Sequence, residues 1–440
     1  MKKHFLLLNI IIVLSVSELY AQSNEKKTPL FGLDLSGMIK TDFIYDSRQT
    51  VNLRDGSLLF YPEPVLPDAE GNDINAKSNF NILSVQTKLT LEIKGPDALG
   101  AKTSGLIEAE FFGNVNPNIN VFRLRHAYIK LNWPRTELLI GQYWHPLYET
   151  RCNPDVISAD AGLPFKVYAR NPQVRVSQEI GNLKVILSAM TQIDFCSNGP
   201  VGPNPRYLRN SVLPELNFQL QYIIEDTEKG TEFLVGAGID YLLLTPAITS
   251  EITLQNGYDT VINNIVVHHD AVTAVYKTNS QVQGFSGSLF TKIRIPVITF
   301  KLGGIYSDNG HAFSMIGGYA VKSYTNMEKG FVDYSNVRTI AAWTDISTNG
   351  TKWQAGFFGG YSKNLGSVNN VIGPYYSRGA NIDHLYRFSG RFVYIANKFR
   401  FAPELEYTVA AYGKIDEKAS VYDSREVGNF RIMLGVYYYF

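Results

Sequence analysis

Cysteine is nearly absent: Cys152 and Cys196 are the only two in 440 residues. A disulfide framework of several bridges is therefore excluded, and so is a thiolate metal cluster. Net charge is also lacking, at +1 from 41 basic and 40 acidic side chains. No polyelectrolyte signal points to nucleic acid. Beyond the amino end there is no run of about 18 apolar residues, so no helix of this chain is built to cross a bilayer. A Gly-x-Ser-x-Gly elbow is missing, and no Ser–His pair stands out, so the chain does not read as an enzyme. His268-His269-Asp270 has no third spaced ligand group beside it. Neither a metal nor a cofactor is expected.

What is present is aromatic and glycine-rich: 27 Tyr, 25 Phe and 36 Gly. The last eleven residues, Phe430–Phe440, set the pattern. Phe430, Ile432, Leu434, Val436, Tyr438 and Phe440 form one apolar face of a period-two repeat, with Arg431, Met433, Gly435, Tyr437 and Tyr439 on the other. That is a strand long enough to cross a membrane when tilted. It resembles the closing strand of bacterial outer-membrane barrels, and the resemblance makes Tyr438 and Phe440 the C-terminal insertion signal read by the barrel assembly machinery.

The same alternation recurs along the chain. Leu35, Gly37, Ile39, Phe43 and Tyr45 alternate with Asp34, Ser36, Lys40 and Asp42. Short connections near 95–102, 134–136, 180–182, 225–231, 294–296, 348–350 and 397–398 alternate with long polar ones. Asn349-Gly350 is a strong hairpin signal. Counting gives about 16 strands. Ala312–Lys322 would make 17, against the even-number rule, and is placed in a long loop. The expected fold is all-β, a transmembrane antiparallel barrel over 33–440 with short periplasmic turns and long extracellular loops, in contact with outer-membrane lipid. Residues 1–21 read as a cleaved signal peptide, with Lys2 and Lys3 before an apolar core and Ala21 ahead of a polar run. Residues 22–32 read as a short periplasmic segment.

Phe122-Arg123-Leu124-Arg125-His126-Ala127-Tyr128, Leu138-Leu139-Ile140-Gly141-Gln142-Tyr143-Trp144, Arg170-Asn171-Pro172-Gln173-Val174-Arg175 and Gly359-Gly360-Tyr361-Ser362-Lys363-Asn364-Leu365-Gly366 carry a family resemblance. Together they look like the DcaP-like porins, and the Ala21-Gln22 junction resembles a Bacteroidetes-type member. The resemblance implies a 16-stranded homotrimeric outer-membrane porin. Such a channel passes small hydrophilic solutes by passive diffusion. The alternatives are a substrate-specific channel with a saturable lumen site, or a closed barrel whose outer loops bind a partner.

A pore needs a constriction and charges that set a barrier or a well. The third outer loop, 144–172, either folds inward as the constriction or stays on the surface. Arg123, Arg125, Arg175, Arg387 and Arg391 fall on expected lumen faces, as do Glu108 and Glu110. These arginines either form a free ladder favouring anions or pair with Glu108, Glu110, Glu404 and Glu406. In the fourth strand, Ile129 and Leu131 share the arginine face, which calls for a bulge or a subunit contact. Cys152 and Cys196 fall in neighbouring outer loops, and a disulfide there would pin the constriction loop.

Overall fold

The computed structural model describes residues 32–113, 116–262 and 265–440. The expected signal peptide, 1–21, and nearly all of the 22–32 segment lie outside the described residues. Sixteen antiparallel strands close into a barrel. They are β1 (Gly32–Asp46), β2 (Asn79–Leu83 and Lys88–Lys94, interrupted by a bulge), β3 (Lys102–Glu110) and β4 (Arg123–Asn132). Next come β5 (Thr136–Trp144), β6 (Arg170–Ile180), β7 (Leu183–Met190) and β8 (Glu215–Asp226). The second half is β9 (Thr231–Leu244), β10 (Val282–Arg294), β11 (Ile298–Ser307), β12 (Phe331–Thr348), β13 (Trp353–Gly366), β14 (Ile382–Ala396), β15 (Phe399–Ile415) and β16 (Val421–Tyr439).

Closure is a direct consequence of the last strand's alternation. β16 pairs with β1, Ile39 opposite Tyr438 and Phe43 opposite Leu434. Gly37 and Phe440 exchange backbone hydrogen bonds of 3.2 Å in both directions. Phe430, Ile432, Leu434, Tyr438 and Phe440 are exposed on the outer wall, while Arg431, Met433 and Tyr437 are buried inside. Similar outward rows run around the barrel, from Leu35 and Ile39 to Phe388, Phe392 and Leu405. A contiguous apolar belt of this kind has no place in water and fits lipid.

The fourth strand resolves the parity conflict by a bulge. The β3–β4 register shifts between Glu108 and Ala109, which face His126 and Leu124. Arg125 and His126 therefore both turn inward, and Leu124 and Ile129 are both exposed outside. Opposite the following turn of β4, Gly141 has φ +137°, and a Cβ there would lie 2.2 Å from Ala127 O. No side chain fits that approach.

Several elements depart from their expected places, β16 among them, which begins at Val421 rather than Phe430. β2 starts at Asn79, so the first outer loop is shorter than the Ser47–Leu83 expected. β12 runs outward to Phe331 and pairs there with a strand at Gly317–Asn326, which overlaps the second half of the Ala312–Lys322 stretch assigned to the sixth loop. The fifth loop carries two ladders of its own, Thr249–Gln255 on Val272–Lys277 and Tyr258–Ile262 on Ile265–His269.

Candidate constriction in the lumen

Loop 3, residues 145–169, leaves the end of β5 and crosses the lumen. Its path is fixed by contacts to one wall after another. Arg151 Nη2 meets Glu232 Oε1 on β9 at 2.9 Å. Cys152 Sγ donates to Thr291 O on β10 at 3.1 Å. Lys301 Nζ on β11 donates to Asn153 O at 2.7 Å and Asp155 Oδ2 at 2.8 Å. On the far wall, Glu404 Oε2 of β15 accepts from the Ile157 and Ser158 amides at 2.6 and 3.1 Å. Lys40 Nζ of β1 donates to Ile157 O at 2.9 Å. The inward alternative for this loop is therefore the one the fold adopts.

Loop 3 is not alone. The Thr50–Leu53 and Leu58–Pro62 hairpin of loop 1 turns inward, as does the His311–Phe313 turn of loop 6. Leu58, Phe60, Leu163, Phe165, Phe313 and Met315 pack with lumen-facing Leu234, Phe290, Ile305, Trp343, Phe358 and Met433. The lumen of this barrel thus has a packed apolar centre, which alternation within each strand does not reveal.

Around that centre the charges are paired. On the β3–β6 side, Arg125 Nε lies 2.7 Å from Glu108 Oε1, and Arg125 also meets Glu110. Arg123 Nη2 is 2.8 Å from Glu110 Oε1, and its Nη1 is 3.0 Å from Asp194 Oδ2. Arg170 Nη2 reaches the same Asp194 oxygen at 3.2 Å. Burial alone would raise the Asp194 carboxyl, but Arg170, Arg54 and Arg123 outweigh it and hold it at about 2. A carboxyl lowered in the folded state contributes stability above its ordinary range near 4, and that contribution is lost as pH falls toward 2.

On the opposite side Arg387 is 1 % exposed. Its Nη1 donates to Asp160 Oδ2 at 2.8 Å, and its Nη2 to Leu59 O at 3.0 Å, so it holds loops 1 and 3 together. Arg391 grips Asp345 with two bonds of 2.7 and 3.0 Å, and Arg431 Nη2 meets Asp46 Oδ2 at 2.8 Å. Among the described residues Arg175 has no carboxylate partner; it donates to Trp144 O at 2.6 Å and Gln173 Oε1 at 2.9 Å. A free arginine ladder is thus not what these residues form. Four of the five are neutralised, through Glu108, Glu110 and Glu406 (3.3 Å from Arg387 Nε) as the paired alternative required, and through Asp160, Asp345 and Asp194, which it omitted. Glu404 instead accepts from loop 3 amides and Ser389.

Further uncompensated cations lie nearer the turns. A cavity of about 740 Å³ opens there, lined by Arg151, Lys292, Arg294, Lys301, Arg391 and Arg400 with Asp155 as the only acid among them. Lys292 is paired with Glu232 at 2.6 Å. Among the described residues, Arg294 and Arg400 have no carboxylate partner. Both sit at the short-turn ends of their strands on lumen faces, a placement that strand parity alone indicates.

The cysteines are not bonded to each other; both are free and buried. Cys152 is carried across the lumen to β10, whereas Cys196 stays in loop 4 with Sγ donating to Ile193 O at 3.4 Å. The neighbouring loops diverge, so the expected bridge does not form. Burial pushes both thiols up to about 12. A maleimide added to the folded barrel at pH 7 will therefore label neither, and both will react after denaturation without reductant. Failure to label the denatured chain would restore the disulfide. His126 is hydrogen-bonded and packed, with Nδ1 3.1 Å from Glu108 Oε1 and its ring against Tyr143 and Trp144. His268 is exposed on the fifth-loop ladder, 2.6 Å from Asp259.

No family model matches the chain, and no curated protein sequence matches it. Solved structures do. The outer membrane channel DcaP of Acinetobacter baumannii superposes with a TM-score of 0.64 at 15% identity, over 93% of this chain and 97% of that one. The anion-selective porin from Comamonas acidovorans gives 0.52 at 9% identity, over 93% and 100%. Outer-membrane expressed OmpT of Vibrio cholerae gives 0.50 at 10% identity, over 94% and 99%. At these identities the likeness is one of fold: the chain has the barrel architecture of outer-membrane porins.

Proposed function

We propose that this chain is a passive channel of the bacterial outer membrane for small hydrophilic solutes, with anions favoured. Loop 3 serves as its constriction. The observation that carries the reading is a 16-stranded barrel with an apolar outer wall whose third loop crosses the lumen above a cationic vestibule. Arg294 and Arg400 carry permanent charge, and their uncompensated field concentrates anions at the inner mouth. Arg387 holds loops 1 and 3 together, and the carboxylate-paired lumen arginines contribute little net field. A homotrimer, insertion through Tyr438 and Phe440, export by residues 1–21 and membership of the DcaP-like porins belong to the same reading.

The packed lumen centre favours a second version of the channel, in which the path widens only when a loop moves or a specific solute binds. Both versions place the charge filter in the vestibule. In a KCl gradient the wild-type zero-current potential is expected to have the sign of anion preference. Arg294→Gln with Arg400→Gln is expected to move it toward zero without lowering conductance severely. A cation-selective wild type, or an unmoved double variant, would contradict the vestibule as filter.

A further inference from the structure

Where loop 3 leaves β5, His145 meets Glu215, the first residue of β8, and Asp240 of β9. His145 Nε2 is 3.1 Å from Glu215 Oε1 and 3.5 Å from Asp240 Oδ1, and the three side chains are at most 1% exposed. The ligand atoms all lie within 4.8 Å of one another. Metal–ligand bonds of about 2.0–2.1 Å place tetrahedral ligands about 3.3 Å apart, so the spacing suits a single ion.

Three further observations separate this group from an ordinary ion pair. The Leu147 amide donates to His145 Nδ1 at 3.1 Å, so Nδ1 is an acceptor and Nε2 is the nitrogen turned to the carboxylates. Neither carboxylate has a lysine or arginine partner among the described residues. Asn217 reaches in from β8, its Nδ2 donating to Asp240 Oδ1 at 3.1 Å, while its buried Oδ1 has no partner. A neutral imidazole cannot balance two buried carboxylates, and charges buried without compensation are strongly disfavoured.

We propose that His145, Glu215 and Asp240 bind one divalent cation of the zinc class, with Asn217 and Gln192 orienting the carboxylates. Gln192 Nε2 lies 3.5 Å from Glu215 Oε2, and such outer partners commonly hold metal-binding carboxylates in place. One imidazole nitrogen with two carboxylates, and an open fourth position, suits Zn²⁺ among available ions. On binding, the Nε2–H proton leaves to solvent and the nitrogen lone pair takes the metal. The ion would tie the stem of loop 3 to β8 and β9, on the wall where Arg387 does not reach.

The test uses the folded full-length protein in detergent, stripped with a chelator and dialysed against Zn²⁺. Metal is counted after desalting. Wild type is expected to retain one ion per chain. Glu215→Gln with Asp240→Asn is expected to bind at least about tenfold more weakly. His268→Gln is expected to bind as wild type does, which removes the exposed fifth-loop histidine as the source. Barrel folding is checked by heat-modifiable mobility. Should the double variant fail to fold, Co²⁺ in wild type decides: an intense visible d–d band of a four-coordinate site supports the proposal, and only the weak aquo-ion spectrum overturns it. Equal retention by wild type and the folded double variant also overturns it, leaving a proton shared by Glu215 and Asp240.

Discussion

Replacing Arg387 by Met will release loops 1 and 3 together and raise the channel's conductance and its current noise. Arg387 donates to Asp160, Leu163 O, Leu59 O, Phe60 O and Thr408 from a site shut off from water. Methionine fills part of the volume but offers no donor. Asp160 then stays buried with its strongest partner gone, and three carbonyls lose their bonds. Breaking a buried pair from one side costs about 3–5 kcal/mol. The barrel ladder does not depend on Arg387, so the penalty falls on loop docking. Limited proteolysis is expected to cut within 150–166 in the variant and not in the wild type. Unchanged cleavage and unchanged current would show that the apolar centre alone holds the loops.

Excising the crossing is the second large effect. Joining residue 149 to residue 167 by a short Gly–Ser link removes Leu163 and Phe165 from the packed centre and leaves the strands intact. Conductance is expected to rise several-fold, because the largest obstruction between the walls is gone. Anion preference is expected to survive, since Arg294 and Arg400 remain and the excised segment takes away Arg151 and Lys166 together with Asp155 and Asp160, no net charge. A conductance equal to wild type would mean that loops 1 and 6 close the lumen unaided, and the role given to loop 3 would fail.

Much of the barrel is readable in the sequence because a strand writes both its faces into every second residue. β16 shows it best: the six apolar positions from Phe430 to Phe440 are the outer face, and Arg431 is inside. Ile129 and Leu131 on the arginine face call for a bulge or a subunit contact, and a bulge at Arg125 is what the strand has. The count of sixteen followed from short turns alternating with long loops. What lay beyond reach is long-range. Nothing local says that Asp160 will find Arg387 across the lumen, or that Asp345, three residues before a turn signal, will neutralise Arg391. The destination of Cys152 depends on where loop 3 travels, and its separation from Cys196 in the sequence says nothing of that. His145, Glu215 and Asp240 are scattered over about a hundred residues and meet only after closure of the sheet. Arg294 and Arg400 were within reach, since parity places both inside, but pairing decides which lumen charges act, and pairing is a property of the assembled barrel.

The most direct test is single-channel recording of the wild-type protein, folded and inserted in a planar lipid bilayer under a KCl gradient. Discrete current steps with an anion-preferring zero-current potential are the expected result, and steps grouped in threes would add the trimer. Folded barrels that insert and carry no current under any applied voltage would contradict the diffusion channel and leave a closed barrel whose outer loops do the work.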